Sequence, residues 1–457
     1  MSDPNNPNVA NRTTPQWGLY QRELFWGPNE GKRPPFNTHP DKLRELAEER
    51  LSKGGWLYAS CNAGLSWTHH ANRAAFYRHQ IVPRTLADTR ARDTATTMFG
   101  GKCKFSYRAA APVGFAPIGI NRIYHATGER SPARVAGQLG LAYCLSSAAS
   151  YGIEEVAEAN EEGFREGEGG GGSGSASKGG SGTGDGNGDG GALRFYQLYW
   201  SPDDAVTLSM LERAARAGYA ALLLTTDTWQ LGWRHDDAAA GNYAFYHEHG
   251  AGDLGLSDAA FRQRLKEEGI DPETSPKEAG ARWIDGHIWH GHSFTWDRVP
   301  WLMDQWRRIS GGRPFCIKGI QHPGDARRAV ELGVDGIVVS NHAGRQVDGA
   351  VASLDALERI VEAVGDKTYV MFDSGIRGAA DVFKALALGA KFVFVGRLWV
   401  YALAVGGEEG VRHEMKALLA DLDILMNVAG YPNLQEIDRD ALDSLPKGSY
   451  FPGAPPS

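Results

Sequence analysis

Eight short apolar runs alternate with amphipathic segments along this chain of 457 residues, and few folds accommodate that alternation. The runs are dominated by Val, Leu and Phe, which is typical of strands buried on both faces of a parallel sheet. The segments between them have helical periodicity, and several end in a glycine, as residues 203–218 do. The eight runs are residues 112–120, 141–147, 194–200, 219–227, 313–320, 335–342, 368–375 and 391–397.

This order of elements predicts an α/β fold, namely a (β/α)8 TIM barrel with an N-terminal helical extension, a Gly-rich insertion and a long lid after strand 4. An open doubly wound sheet would also alternate strands with helices. Such a sheet usually has fewer strands, and its glycine-rich fingerprint follows the first strand. Residues 112–120 lead into no such motif, so the barrel is the better interpretation.

Two segments interrupt the barrel pattern. Residues 163–193 are predicted to be a disordered insert, because their middle is about half glycine and nothing there offsets a backbone entropy of ~1–2 kcal/mol per residue. Residues 235–290 are too long for an ordinary βα loop, and such loops often serve as active-site lids. The predicted division of the whole chain is an N-terminal extension at 1–110, the barrel at 111–440 and a tail at 441–457.

The composition excludes several classes of protein. A net charge of −7 with interspersed signs does not form the basic surface that binds nucleic acid or an anionic membrane. No apolar stretch approaches the ~20 residues that cross a bilayer. The four cysteines are far apart in the sequence, which fits a reducing compartment better than a disulfide framework. We therefore expect a cytoplasmic protein with a small-molecule substrate.

The active site of such a barrel lies at the carboxyl ends of its strands, and polar residues gather there. The segments DSGIRG and VGRLW follow the seventh and eighth runs, where these barrels usually bind phosphate. Each segment offers glycine for close backbone approach and an arginine for bidentate phosphate contact. The sequence therefore predicts a phosphate site at Asp373, Ser374, Gly375, Arg377, Gly396 and Arg397.

The run IKGIQHPGDARRAVELGVDGIVVSNHAGRQVDG, followed by FDSGIRGAADVFKALALGAKFVFVGR, resembles the FMN-dependent 2-hydroxy-acid oxidase and dehydrogenase family. The resemblance covers residues 50–440 apart from the Gly-rich insert, and its SNHxGRQ core is highly specific. Within the family, the motifs TTDTWQLGWR and IWHGHSFTW look closest to lactate 2-monooxygenase, which also has a long lid after strand four.

The resemblance implies FMN as the cofactor. Lys318 would face the N1–C2=O edge of the isoalloxazine ring, and the phosphate segments named above would hold the ribityl hydroxyls and the phosphate. Residues from other strands would line the ring and the ribityl chain, namely Pro117, Ile118, Gly119, Ser146, Gln197, Thr225 and Ser340. The family resemblance also implies a homo-oligomer, either a tetramer or an octamer.

The resemblance further implies the residues that act on the substrate. His342 would be the base, and Asp227 would orient it and stabilise its protonated form. Arg345 would bind the substrate carboxylate, and Tyr58, Tyr199 and Arg234 would add further contacts, with Tyr199 and Lys318 counted among the catalytic group. Because no side chain accepts two electrons, this chemistry needs the cofactor.

Three details of the sequence bear on these expectations. The family's usual HGGRQ reads HAGRQ here, and the Cβ of Ala343 is unfavourable if that position has a positive φ. The run of His287, His290 and His292 has a spacing seen in zinc sites, but we expect no metal there. The small residues Gly119 and Ala148, compared with the family, predict a side-chain pocket larger than lactate requires.

Three functions remain open at this stage. The leading hypothesis is oxidation of an L-2-hydroxy acid, lactate-like or larger, with O2 as the oxidant and coupled oxidative decarboxylation if the lid retains the products. The second is a dehydrogenase that passes electrons to another acceptor. The third is a catalytically silent flavin-binding scaffold.

Overall fold

The computed structural model describes residues 14–101, 103–167, 187–188, 191–242 and 253–446. Eight parallel strands close into a barrel in which each strand pairs with its neighbours in chain order, and β8 pairs with β1. The predicted (β/α)8 fold is therefore confirmed, with one strand in each of the eight apolar runs. The strands are β1 Val113–Phe115, β2 Ala142–Ser146, β3 Arg194–Leu198, β4 Ala221–Thr225, β5 Phe315–Ile320, β6 Gly336–Val339, β7 Tyr369–Phe372 and β8 Phe392–Val395.

Alternating residues of the strands form two apolar cores. One set, which includes Cys144, Leu223 and Phe394, packs inside the barrel. The other set, which includes Leu145 and Leu224, packs against the surrounding helices. Burial on both faces explains why the strands have no polar alternation. The barrel helices are Arg130–Leu139, Ile153–Glu166, Asp204–Arg216, Val299–Ser310, Pro323–Glu331, Ser353–Val364, Ala379–Ala387 and Arg397–Ala429.

The N-terminal region wraps the barrel and covers its amino-terminal mouth. A hairpin of Thr96–Phe99 and Ser106–Ala109 places Met98, which is fully buried, in the interior core. Residues Asn187–Gly188 extend this hairpin, and Leu442–Ser444 pairs with His79–Ile81. The helices of this region are Leu19–Trp26, Pro40–Arg50, Lys53–Ser60 and Trp67–Tyr77. Short 3-10 turns occur at Gly27–Glu30, Asn121–Ile123, Trp296–Arg298, His342–Gly344, Leu434–Glu436 and Arg439–Ala441.

The two predicted insertions are only partly within the described ranges. The helix Ile153–Glu166 continues into the start of the predicted 163–193 insert, and residues 168–186 and 189–190 lie outside the described residues. Between β4 and β5, residues 243–252 also lie outside them. The described part of this long segment contains His235–Ala239, Asp253–Leu256, Ala259–Glu267, Pro276–Trp283 and the π-helix Ile284–Ile288. Within the described ranges, no helix combines the length and apolar character needed to cross a bilayer.

Candidate active site

A cavity opens at the carboxyl ends of the barrel strands. Its wall contains most of the residues singled out from the sequence, which come from seven strand ends, the N-terminal region and the long segment after β4. These residues are Tyr58, Pro117, Ile118, Gly119, Ser146, Tyr199, Arg234, Lys318, His342, Arg345, Asp373, Ser374, Gly375, Arg377, Gly396 and Arg397.

The remaining predicted residues lie directly behind this wall. Gln197 joins the ends of three strands, because Ser146 Oγ donates to its Oε1 at 2.9 Å and its Nε2 donates to Thr225 Oγ1 at 2.9 Å. Lys318 Nζ donates to Ser340 Oγ at 3.1 Å. These side-chain hydrogen bonds form two groups, one across the ends of β2, β3 and β4 and one across β5 and β6, and both support the cavity wall.

The imidazole of His342 pairs with a buried carboxylate. Its Nδ1 lies 2.7 Å from Asp227 Oδ1, so Nε2 is the nitrogen left to meet a ligand. Thr228, which the sequence analysis missed, donates to Asp227 Oδ1 at 2.9 Å and lies 2.9 Å from the same imidazole nitrogen. Burial lowers the pKa of His342 below its ordinary value, although Asp227 opposes that shift. The neutral imidazole is therefore the favoured form.

Lys318 lies between two carboxylates at the centre of the cavity floor. Its Nζ is 3.6 Å from Asp227 Oδ2 and 3.5 Å from Asp373 Oδ2. Burial alone would lower the pKa of this amine, but the two carboxylates raise it, so it stays charged. Burial would likewise raise the pKa of Asp227, but Lys318 and His342 outweigh burial and hold it well below its usual range.

Two neighbouring arginines lie on one side of the cavity, and Asp237 Oδ2 lies 3.9 Å from Nη1 of Arg234, beyond hydrogen-bond distance. Arg234 is 6% exposed, and its Nε meets no acceptor among the described residues. Burial and the neighbouring Arg345 lower the pKa of Arg234 to about 10. The guanidinium of Arg345 donates to the carbonyls of Tyr58 and Cys61, both at 2.7 Å. Because buried charges are normally paired, this arrangement is expected to bind an anion.

The other end of the cavity also carries two arginines, Arg377 and Arg397, although Asp381 partly offsets the charge of Arg377. Burial and the neighbouring Arg73 lower the pKa of Arg377 to about 10. Burial lowers the pKa of Arg397 to about 9; Tyr401 opposes this shift, and repulsion from Arg345 and Arg377 adds to it. A Cβ on Gly396 would make ordinary van der Waals contact with Ile118 at 3.6 Å, so the backbone is not crowded there. A phosphate-bearing cofactor such as FMN therefore fits this end by charge and by space.

Arg397 nevertheless differs from a freely available phosphate clamp. Its guanidinium donates to Asn62 Oδ1 at 2.6 Å, to the carbonyl of Ala59 at 3.1 Å and to that of Cys61 at 3.2 Å. These bonds attach the loop after helix Lys53–Ser60 to the start of the last barrel helix. His69, also missed in the sequence, adjoins this cluster, and burial together with Arg397 and Arg377 lowers its pKa to about 2.

The loop after β6 has the positive φ that the sequence analysis identified as unfavourable for alanine. His342, Ala343 and Gly344 have φ of 55°, 57° and 75°. A left-handed alanine costs ~1–2 kcal/mol. Two buried amides hold the loop, since Asn341 Nδ2 donates to Asn72 Oδ1 at 2.7 Å and Asn72 Nδ2 donates back at 2.8 Å.

One expectation about the pocket was wrong in detail. Gly119 does not enlarge the pocket, because a Cβ there would meet the carbonyl oxygen and the Cβ of Ala148 at 2.8 and 2.9 Å. Its role is to allow close contact between the loops after β1 and β2. Trp289, in the long segment predicted to form a lid, contributes directly to the cavity wall. Tyr124 and Leu231 are further wall residues that no sequence pattern indicated.

The three histidines near the end of the long segment have separate partners. His287 Nδ1 lies 2.8 Å from Ser201 Oγ, and His290 Nε2 lies 2.9 Å from the carbonyl oxygen of Trp200. His292 stacks on His290. In the described part of the chain, no three His, Cys, Asp or Glu side chains are arranged to hold a metal ion.

Comparisons with known proteins agree with this geometry. The family model described as FMN-dependent dehydrogenase matches residues 47–167 and 182–444. The chain is 39% identical to the FMN-dependent alpha-hydroxy acid dehydrogenase qulF of Penicillium citrinum, over 93% of this chain and 96% of that protein. It is 34% identical to an L-lactate oxidase of Lysinibacillus sphaericus, over 88% of this chain and 91% of that protein.

Solved structures give the same result. A crystal structure of mandelate oxidase superposes with a TM-score of 0.70 at 29% identity, covering 90% of this chain and 98% of that one. The resemblance stated from the sequence is therefore confirmed, as is FMN as the cofactor. This chain belongs to the family of FMN-dependent enzymes that oxidise 2-hydroxy acids, and it is an oxidoreductase.

Proposed function

We propose that this chain oxidises an L-2-hydroxy acid with an apolar side chain larger than a methyl group, and that O2 is its oxidant. The observation that carries the proposal is the convergence of three features on one cavity. These are the His342–Asp227 pair, the two neighbouring arginines Arg234 and Arg345, and an apolar wall. A proton acceptor, an anion site and an apolar surface match the three parts of a 2-hydroxy acid.

In this proposal His342 is the base. Its Nε2 takes a proton from the hydroxy acid, and Asp227 offsets the positive charge that then develops on the ring. Thr228 and Asp227 both contact the Nδ1 side, so they fix the ring orientation and the tautomer. The lowered pKa of His342 supports this role because the base is then unprotonated at neutral pH.

The substrate carboxylate would bind to Arg345 and Arg234, with the hydroxyls of Tyr58 and Tyr199 beside them. All four residues line the cavity. Arg345 already uses two N–H groups on backbone carbonyls, which fixes its guanidinium before the substrate arrives. Fixed donors of this kind contribute orientation as well as affinity.

When bound, FMN supplies the two-electron acceptor that the side chains lack. Lys318 would lie at the pyrimidine side of the ring, where its charge favours the electron-rich form. Pro117, Ile118 and Gly119 would line the ring, with Ser146, Gln197, Thr225 and Ser340 at its polar edge. Asp373, Ser374, Gly375, Arg377, Gly396 and Arg397 would hold the ribityl chain and phosphate.

The long segment after β4 supports a second proposal about the products. Asn242 Nδ2 donates to the carbonyl of Gly54 at 3.0 Å, which bridges this segment to the N-terminal region. If the segment retains the products, the 2-oxo acid and H2O2 react before release. The balance is then one 2-hydroxy acid and one O2 giving a carboxylic acid one carbon shorter, CO2 and water.

The test combines two measurements on the purified flavoprotein. Anaerobic addition of L-lactate, L-2-hydroxybutanoate or L-3-phenyllactate should bleach the flavin, with the larger acids reacting better. In air, less than one H2O2 per O2 indicates coupled decarboxylation, and one per O2 indicates release of both products. Bleaching without reoxidation by air would instead identify a dehydrogenase, and a flavin that never bleaches would identify a scaffold.

We also propose a cytoplasmic homo-oligomer. All four cysteines are free thiols, and three of them are buried, which supports a reducing compartment. Light scattering of the flavoprotein gives the mass of the assembly, and a monomer at micromolar concentration would contradict the homo-oligomer. Microscopy of the fluorescently tagged chain tests the cytoplasmic location.

A further inference from the structure

Trp289 differs from the other tryptophans of the long segment after β4. It is 8% exposed and lines the active-site cavity, whereas Trp283 is fully buried in the core away from the cavity wall. Its ring meets Tyr199 edge to face, with centroids 6.1 Å apart and planes at 66°. One face of the substrate cavity is thus supplied by a segment outside the barrel.

The backbone around Trp289 is fixed at several points. The π-helix Ile284–Ile288 ends there, and the Trp289 N–H donates to the carbonyl of Ile284 at 2.8 Å. A π-helical turn adds one residue to a helix, which changes the direction of the residue that follows. Gly291 N–H then donates to the carbonyl of Trp229 at 2.9 Å, beyond the end of β4.

Packing holds the same segment from the other side. His290 Nε2 lies 2.9 Å from the carbonyl oxygen of Trp200, just after β3. The ring of Trp200 stacks on Phe294 at a centroid distance of 4.3 Å. Because the loops after β3 and β4 both hold this turn, the indole of Trp289 has little freedom to swing out of the cavity.

The polar wall residues are already assigned to the carboxylate and the reacting carbon. What remains on the substrate side is apolar: Tyr124, Ala148, Leu231 and Trp289. The loops that carry Ala148 and Gly119 are in close contact, because a Cβ on Gly119 would lie only 2.9 Å from the Cβ of Ala148. Among these four residues Trp289 has the largest side chain, so its replacement changes the space most.

We propose that Trp289 sets the upper size limit for the substrate side chain, an inference that rests on the function proposed above. The substrates it admits are 2-hydroxy acids whose apolar side chain packs against the indole face, up to the size of a phenyl group. Larger fused rings are excluded because the indole, fixed by its backbone contacts and by Tyr199, occupies that volume.

The test compares Trp289→Ala and Trp289→Phe with a matched control, Trp229→Phe. Trp229 neighbours the same turn but does not line the cavity. Rates of anaerobic flavin reduction are measured with L-2-hydroxybutanoate and L-3-indolelactate. In Trp289→Ala the second-order rate constant of flavin reduction by indolelactate, relative to that by hydroxybutanoate, should rise by about tenfold or more. The ratio for Trp289→Phe should lie between those of the wild type and Trp289→Ala, and Trp229→Phe should keep the wild-type ratio.

A second readout does not depend on turnover. The dissociation constants of 2-oxobutanoate and indole-3-pyruvate are measured from the flavin absorbance of the oxidised protein, and their ratio should shift in the same direction. Unchanged ratios in both Trp289 variants, with FMN retained, would overturn the inference while leaving the function intact. If Trp289→Ala loses FMN, the ratios measured for Trp289→Phe decide the inference. A wild type that binds the 2-oxo acids but is reduced by no 2-hydroxy acid would overturn the function alone.

Discussion

The two mouths of the barrel use buried side chains in opposite ways. At the amino-terminal mouth, the hairpin inserts Met98 into the interior core, and Phe99 packs edge to face on Phe195. At the carboxyl-terminal mouth, Arg234 is buried and Arg377 is half-buried, and burial lowers the pKa of both, although Asp237 and Asp381 partly offset their charge. Apolar contacts stabilise one end, while the other end retains partly compensated positive charge that an anionic ligand would offset further.

The largest expected effect is at the carboxyl-terminal mouth. His342→Ala removes the base but none of the residues assigned to the phosphate, so FMN should remain bound. The rate of anaerobic flavin reduction should fall by at least ~10²–10⁴-fold, which is typical of a lost general base. Stopped-flow absorbance measures the rate, and FMN content per chain is the control. Reduction at the wild-type rate would remove His342 from the chemistry.

Met98→Ala tests the opposite mouth. Truncating this fully buried side chain should lower the free energy of unfolding by ~2–5 kcal/mol because it leaves a cavity in the interior core. Flavin reduction per bound FMN should stay at the wild-type rate, since the site lies at the other end. Denaturant unfolding measures the free energy of unfolding, and stopped-flow absorbance measures the rate of flavin reduction. A large loss of rate with normal stability would contradict the separation of the two ends.

Arg377→Met should affect ligand binding and folding in opposite directions. The dissociation constant of FMN should rise, by about ten- to a hundredfold if one charged hydrogen bond worth ~1.5–3 kcal/mol is lost. The apoprotein should melt at a higher temperature, because a half-buried cation whose pKa is lowered by burial is replaced by an apolar side chain. Arg216→Met is the matched control, since that side chain is 69% exposed and should change neither quantity. A lower melting temperature of the Arg377→Met apoprotein would show that its charge is already compensated.

The smallest effect concerns pH. Burial lowers the pKa of His342, so the neutral base persists below the ordinary value of roughly 6.5. The rate of flavin reduction should therefore remain level as pH falls through that value, and should decline only at lower pH. The depressed pKa also means that the folded state loses stability relative to the unfolded chain as pH falls below the unfolded-state value. A rate that declines with a midpoint above 6.5 would show that Asp227 dominates over burial.

Much of the carboxyl-terminal mouth was predictable, because parallel strands of a barrel bring their ends together whatever the loops do. Gln197, Lys318, His342 and Asp373 follow from that rule alone. Trp289 and His69 did not follow, since their positions depend on how segments outside the barrel pack on it. The close contact of Gly119 with Ala148 is likewise a property of two loops in space, which no sequence pattern encodes.

The most direct test of the account uses the two enantiomers of one substrate. The purified flavoprotein is mixed anaerobically with L-3-phenyllactate or D-3-phenyllactate, and the flavin absorbance is followed. Because the carboxylate anchors and His342 are fixed on one side of the cavity, the L-enantiomer should bleach the flavin completely while the D-enantiomer binds without reducing it. Equal reduction by both enantiomers, or none by either L-3-phenyllactate or smaller L-2-hydroxy acids, would contradict the proposed site.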